Sequence, residues 1–337
     1  MIDSIIEEDL DAIRRSIDPE HFRQKTVLVS GGSGFLGSWF CDVLVGLDSR
    51  VICVDNLSTG VFENVDHLKG VKSFEFEKSD VRTYSKKPKV DMIFHLASRP
   101  APEDYQKHPV ETALANATGT GRMLELARRN DAPFFYASSS EVYGDPEIYP
   151  TPESYGGRVD PLGPRSCYEE GKRFGEALSK AFHDQYGLEV RIARLFNSYG
   201  PRLRAEGFYG RVISRFIIQA LRGEDITVFG DGSQTRSFCY VNDTVVGSFR
   251  LMGLEGSSDL AVNIGNKEEK RILDLAERIR NLTESKSSIR FVPLPAGDHM
   301  RRLPDTGRAE RLLRWNPSTS LEIGLERTLR WFRSNSP

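Results

Sequence analysis

Glycines stand three apart at 31, 34 and 37 in Thr26-Val27-Leu28-Val29-Ser30-Gly31-Gly32-Ser33-Gly34-Phe35-Leu36-Gly37, directly after an apolar run. Spaced this way they form a phosphate cradle. Gly31 allows a tight turn off a strand, Gly34 lets backbone N–H groups approach a pyrophosphate, and Gly37 lets the following helix pack close to the strand. The helix N-terminus adds unpaired donors and a partial positive charge. Val51-Ile52-Cys53-Val54-Asp55 reads as the next strand, and Asp55 ends it 18 residues after Gly37. A carboxylate there accepts from the adenosine ribose hydroxyls and repels a 2′-phosphate, so the pattern predicts NAD rather than NADP. Glycines alone would fit a plain turn in a ligand-free α/β domain. The second strand and its terminal acid argue for the dinucleotide.

Three further motifs carry chemistry. Tyr168 and Lys172 are four apart in Tyr168-Glu169-Glu170-Gly171-Lys172 and share one face of a predicted helix. Free tyrosine, with a pKa near ~10, is a poor base at neutral pH. A nearby ammonium and the positive nicotinamide ring would favour the phenolate, which can take a proton from a substrate hydroxyl while hydride leaves for NAD. His95-Leu96-Ala97-Ser98 and Ser138-Ser139-Ser140-Glu141 each close a predicted strand, where doubly wound sheets bind ligands. Small residues in the first let backbone lie against a dinucleotide, and the hydroxyls and carboxylate of the second suit a polar ligand. Singly these motifs also fit a chance pair, a tight turn and a serine-capped loop.

The elements that must position them follow from periodicity. Ile5, Ile6, Leu10, Ile13 and Ile17 predict an amphipathic helix over 3–17, packed on the core or, alternatively, on an oligomer partner. Strands are expected at 90–96, 133–137 and 189–196, with helices at about 110–129 and 168–186 between them. Repeated strand–helix units mean an α/β fold, a Rossmann-type doubly wound parallel sheet. After Asn197 glycine, proline and arginine become dense. Helices near 211–222, 241–253, 271–282 and 320–333 alternate with short strands near 226–229, 261–264 and 289–292, predicting a smaller, interleaved C-terminal substrate-binding lobe. The expected division is an N-terminal helix in 1–24, an NAD-binding domain in 25–198 completed by a segment near 235–255, and a lobe in 199–337.

Bulk properties narrow the function classes. The 337 residues carry a net charge of −2 with no long basic run, which argues against nucleic acid or an anionic membrane as partner. No apolar run matches a bilayer span, and from Met1-Ile2-Asp3 no signal peptide is expected. Cys41, Cys53, Cys167 and Cys239 are scattered without a CxxC pair, so no metal or disulfide role is expected and a reducing cytoplasm is the default.

From Thr26 to about Phe332 the chain resembles the extended short-chain dehydrogenase/reductase superfamily, in its sugar-nucleotide branch, and within it most resembles the UDP-glucuronate decarboxylases. The resemblance rests on Ala137-Ser138-Ser139-Ser140-Glu141-Val142-Tyr143-Gly144-Asp145-Pro146, Gly163-Pro164-Arg165-Ser166-Cys167-Tyr168-Glu169-Glu170-Gly171-Lys172-Arg173, Phe196-Asn197-Ser198-Tyr199-Gly200-Pro201-Arg202 and Gly230-Asp231-Gly232-Ser233-Gln234-Thr235-Arg236-Ser237-Phe238. It implies Tyr168 as base, Lys172 on the nicotinamide ribose, Ser139 on the sugar 4-hydroxyl and Glu141 at the decarboxylation step. It implies that NAD is held by Gly31, Gly34, Phe35 and Leu36 at the cradle, Asp55, Asn56, Ser58 and Thr59 after the second strand, and Asp80, Val81, Leu96, Ser98 and Ser198, together with Tyr168 and Lys172. Asn197, Arg211, Phe229, Gln234 and Arg236 would line the nucleotide-sugar site, and Arg302 matches a diphosphate-binding arginine. Members commonly dimerise through a helix pair, here the helices near 110–129 and 168–186.

The chain departs from those decarboxylases at Ala113-Leu114-Ala115-Asn116, where they carry lysine and threonine before the asparagine, and at Arg99 and Arg122. The branch shares oxidation of the sugar C4 hydroxyl. A 4,6-dehydratase normally has an Asp–Glu pair where Ser140-Glu141 stand, and a 4-epimerase has small neutral residues there. A decarboxylase needs only the C4 ketone as electron sink, so the expected activity is conversion of UDP-glucuronate to UDP-xylose or a 4-keto pentose. The epimerase, the dehydratase and a catalytically silent NAD-binding regulator are the alternatives.

Overall fold

The computed structural model describes residues 3–205, 211–256, 261–295 and 297–335. Helix α1, Ser4–Ser16, is capped by Asp3, whose carboxylate accepts from the Ile5 N–H at 2.9 Å, and it buries Ile5, Ile6, Leu10 and Ile13 against the core. The α/β alternation then runs β1 Thr26–Ser30, α2 Phe35–Gly46, β2 Arg50–Asp55, β3 Phe74–Lys78 and β4 Met92–His95. It continues through short helices α3 Pro102–Lys107 and α4 Pro109–Leu114, a π-helical turn Ala115–Gly119, α5 Thr120–Asn130, β5 Phe134–Ser139, α6 Ser166–Tyr186 and β6 Val190–Leu195. After β7, Ser198–Tyr199, come α7 Val212–Arg222, β8 Ile226–Phe229, β9 Thr235–Ser237, β10 Cys239–Tyr240, α8 Val241–Met252 and β11 Ala261–Ile264. The chain ends with β12 Glu269–Arg271, α9 Ile272–Leu282, β13 Ile289–Val292, β14 Arg301–Arg302, α10 Gly307–Leu313 and α11 Leu321–Asn335.

Seven parallel strands form one sheet in the order β11-β6-β5-β4-β1-β2-β3. The chain winds outward from β1 through β2 to β3, then returns to the other side of β1 with β4. That reversal opens a crevice at the carboxyl ends of β1 and β4, where such sheets bind ligands. The fully buried interior strands Val27-Leu28-Val29 and Phe134-Phe135-Tyr136 read as continuous apolar runs because helices cover both faces.

Several elements differ from the sequence expectation. The helix at 110–129 is divided by the π-helical turn, which buries Asn116 so that it accepts from the Ser98 hydroxyl at 2.9 Å and donates to the Thr112 carbonyl at 3.0 Å. Strand β3, Phe-Glu-Phe-Glu-Lys, was not expected; it alternates apolar and charged residues because it sits at the sheet edge. The strand at 261–264 completes the main sheet beside β6. A three-stranded sheet in the order β12-β9-β14 and helix α10 were also unforeseen, because two- and three-residue strands leave no readable period.

The glycine motif is explained by contact. Gly31 has φ +73°, and a Cβ there would lie 2.7 Å from the Ala97 backbone nitrogen. A Cβ on Gly37 would lie 2.1 Å from the Gly31 carbonyl oxygen, a backbone atom that cannot swing away. Gly37→Ala is therefore expected to destabilise the fold by about 1–3 kcal/mol through overpacking and to weaken NAD binding. Urea unfolding together with an NAD titration checks both. Wild-type values would show that helix and strand are less closely apposed.

Candidate functional site

The crevice is bounded on one side by the β1–α2 turn. Gly34 caps α2 without a side chain, which leaves the first-turn N–H groups facing the cleft as anion donors. Asp55 accepts from the Ser33 N–H at 3.0 Å and the Leu57 N–H at 2.8 Å, and it retains lone pairs for ribose hydroxyls. Burial raises its pKa, with those backbone bonds pulling the other way. Asn56 donates to Asp80 at 2.9 Å. The Arg82 guanidinium grips Asp80 and takes its carboxyl down to about 2, against partial burial. The close backbone approach at Gly31, the open helix N-terminus and the carboxylate ending β2 fit a dinucleotide.

The far wall is built by β5 and α6. Ser139 ends β5 and caps a one-turn helix, Ser140–Tyr143, its hydroxyl accepting from the Glu141 N–H at 3.3 Å. Tyr168 is buried at the start of α6 and stacked on Tyr105, with rings 5.2 Å apart and 3° from parallel. Lys172, one turn later, points its ammonium at the Ala137 carbonyl, 2.8 Å away. Burial lowers its pKa to about 7, only partly offset by Glu176. Burial raises that of Tyr168, while the Arg211 charge and the Ser139 bond favour the phenolate. Among the described groups, Arg211 and Ser139 pull toward the phenolate, and the Lys172 nitrogen stands 5.8 Å from the Tyr168 ring centre.

Glu141 anchors a cluster of charges. Its Oε2 accepts from Arg165 at 2.6 Å and Arg302 at 3.2 Å, and His299 Nε2 lies 3.6 Å away. Burial pushes the Glu141 pKa up, but the two guanidiniums and the imidazole outweigh it and hold the carboxyl well below its usual range. His299 Nε2 is also 3.2 Å from Glu169. Glu141, Glu169 and His299 offer ligand-type atoms within 4.8 Å of one another, but a cation there would have to displace the guanidiniums already bound to Glu141.

All the cofactor residues expected from the sequence line this one cleft, as do Ser139, Glu141, Tyr168, Lys172, Asn197 and Arg211. Four expected substrate residues do not. Gln234 donates to the Phe229 carbonyl at 2.8 Å, with Arg215 4.4 Å from the centre of the Phe229 ring. Arg236 donates to Asp298 at 3.1 Å and the His299 carbonyl at 2.6 Å. Arg302 is buried against Glu141 and the Gly144 carbonyl. Sequence reasoning gave no role to Arg165, Glu169 or His299, or to Arg204, which donates to the Thr59 carbonyl at 2.9 Å from the far side of the cleft. Arg165 stood inside a quoted motif. His299 lay in a segment without periodicity, where no signal marked it.

Comparison with known proteins agrees with this geometry. Residues 27–265 match the model of the NAD dependent epimerase/dehydratase family. UDP-glucuronic acid decarboxylase 1 of Danio rerio is 46% identical over 309 residues, covering 92% of this chain and 73% of that protein. The UDP-glucose 4-epimerase of Thermotoga maritima, crystallised with UDP-glucose, superimposes with a TM-score of 0.85 at 28% identity, over 93% of this chain and 100% of that one. The dTDP-glucose 4,6-dehydratase of Streptomyces venezuelae, crystallised with NAD, gives 0.84 at 28% identity, over 92% and 97%.

The depressed Lys172 pKa has a definite sign. The folded group titrates near about 7 and the free group at 10.5, so the unfolded chain binds more protons between those values. The burial cost is full below pH 7 and is relieved as pH rises toward 10.5. Lys172→Met, which removes the charge, should therefore be most favourable relative to wild type at pH 6–7 and lose ground by a few kcal/mol by pH 10. Urea unfolding of both proteins across pH 6–10 measures this, and a pH-independent difference would contradict the buried ammonium.

Proposed function

Since the chain belongs to the NAD-dependent epimerase/dehydratase family, we propose that it decarboxylates UDP-glucuronate to UDP-xylose. The cradle at Gly31 and Gly34 and the carboxylate of Asp55 would hold NAD, which would supply reversible hydride exchange at the sugar C4. Tyr168 accepts the C4 hydroxyl proton, with Ser139 bonding the same oxygen and Arg211 favouring the phenolate. Lys172 and Asp55 hold the two riboses of the cofactor. Asn197 and Arg211, which line the cleft, and Phe229, Gln234 and Arg236 beyond it serve the nucleotide sugar. The C4 ketone lies β to the carboxylate, so the electron pair left behind by carbon dioxide passes into that ketone, and C5 then takes a proton.

The observation that carries this reading is the state of Glu141. Arg165 and Arg302 keep it ionised, and its neighbour Ser140 has no acidic group. Dehydration needs an acid to protonate the leaving hydroxyl, and neither residue holds one at rest. Decarboxylation needs no leaving-group acid. Glu141→Gln is expected to retain C4 oxidation, accumulate enzyme-bound NADH with UDP-glucuronate and release carbon dioxide about 10²-fold more slowly or worse. Absorbance at 340 nm and labelled-carbon-dioxide release follow the two halves. Wild-type formation of UDP-galacturonate without carbon dioxide would establish the epimerase instead, and dehydration of dTDP-glucose would establish the dehydratase.

We also propose a homodimer and a reducing, cytoplasmic setting. The second rests on four unpaired thiols, three of them buried. Support for the first is an apolar surface on α4 and α6, where Val110 is 66% exposed, Leu114 43% and Phe174 49%. Such side chains are costly to leave in water and suit a helix pair from a second copy. Phe174→Glu should give a monomer by light scattering, whereas an unchanged mass would remove this face from the interface.

A further inference from the structure

Taking the decarboxylase reading as given, the reaction has a proton balance. The C4 hydroxyl proton and the hydride are both returned. Carbon dioxide leaves with its bonding electrons left on the sugar, and C5 gains a proton that ends as a C–H bond. One proton per turnover must therefore come from solvent and reach the interior of the cleft.

The groups around Glu141 differ in their ability to supply it. Glu141 rests as a carboxylate and stores no proton. Arg165 and Arg302 are guanidiniums, which do not give up protons in this range. The remaining group beside Glu141 Oε2 is an imidazole, the side chain suited to exchanging protons near neutral pH. His299 stands between solvent and site. Its Nδ1 is 3.7 Å from Asp145, whose side chain is 65% exposed, and its Nε2 is 3.6 Å from Glu141, which lines the cleft. The His299 side chain itself is 11% exposed. Glu141, Glu169, Asp145 and Asp298, which accepts from the His299 backbone N–H at 3.1 Å, face this residue with negative charge. Arg165, Arg302 and Arg236 bring positive charge to the same cluster.

We propose that His299 is a positioning residue that relays the solvent proton to C5 through Glu141. Nε2 rests 3.2 Å from Glu169 and 3.6 Å from Glu141 Oε2; as a protonated ring it closes on Glu141 and gives up that proton, Glu141 passes a proton to C5 and returns to carboxylate, and the neutral imidazole is recharged from water on the Asp145 side. No oxidant or further reactant is consumed.

The test is His299→Gln, which keeps hydrogen bonding but cannot carry a proton, first checked for wild-type NAD affinity. With UDP-glucuronate it should still release carbon dioxide in the first turnover. UDP-xylose formation should fall about tenfold or more, a modest general-acid effect, while KM changes by less than about threefold. Bound NADH should persist, because hydride return waits on C5 protonation, and added imidazole should discharge it. The pH dependence of kcat should differ between wild type and variant. A variant with wild-type kcat, no NADH accumulation and the wild-type pH profile overturns the relay. Should the variant not fold, decay of bound NADH in wild type is compared in H2O and D2O. Slower decay in D2O supports the relay, and equal rates overturn it. A wild type that releases carbon dioxide beside an unaffected variant refutes the relay alone. A wild type that releases none from UDP-glucuronate refutes the decarboxylase reading, and the relay falls with it.

Discussion

The carboxylate of Glu141 is the constraint on which the active region depends. It draws together three segments far apart in the chain: the end of β5, the loop carrying Arg165 before α6, and Arg302 of β14. Burying these charges is costly, and removing any one partner would leave the others uncompensated. Two guanidiniums on one oxygen, with His299 alongside, keep the group ionised. This keeps Glu141 itself from serving as an acid at rest.

The opposite end of the cleft depends on backbone proximity instead of charge. A side chain at Gly31 or Gly37 would collide with backbone, so the turn and the start of α2 are pressed against β1 and β4. Between the two ends, Lys172 is held by the Ala137 carbonyl and Tyr168 is clamped between Ser139 and the ring of Tyr105. Arg211 and Arg204 reach across from the C-terminal half to the Pro100 and Thr59 carbonyls, tying both rims of the crevice. The interleaved segments after Asn197 thus help to shape the cofactor cleft as well as the substrate end.

Much of this was legible in the residues. Buried parallel strands announce themselves as apolar runs, and the glycine spacing with Asp55 marks the dinucleotide cleft because local backbone geometry demands it. The Tyr168–Lys172 spacing places both on one helix face by helical geometry alone. Elements of two or three residues, the edge strand β3 and the π-helical break before α5 escaped, because their stability comes from neighbours rather than from a local pattern.

The sequence by itself determined the strand–helix alternation, the phosphate cradle, the preference for a ribose-binding acid and the identity of the groups available for proton transfer. These rest on interactions within a few residues of one another. Only the tertiary structure decided which partners each charge meets. It turned Lys172 toward backbone, gave Arg211 an influence on Tyr168, bound Arg302 to Glu141, and brought His299 to that carboxylate from 158 positions away. Protonation states follow from burial and from charges brought close by folding, and no spacing along the chain encodes them.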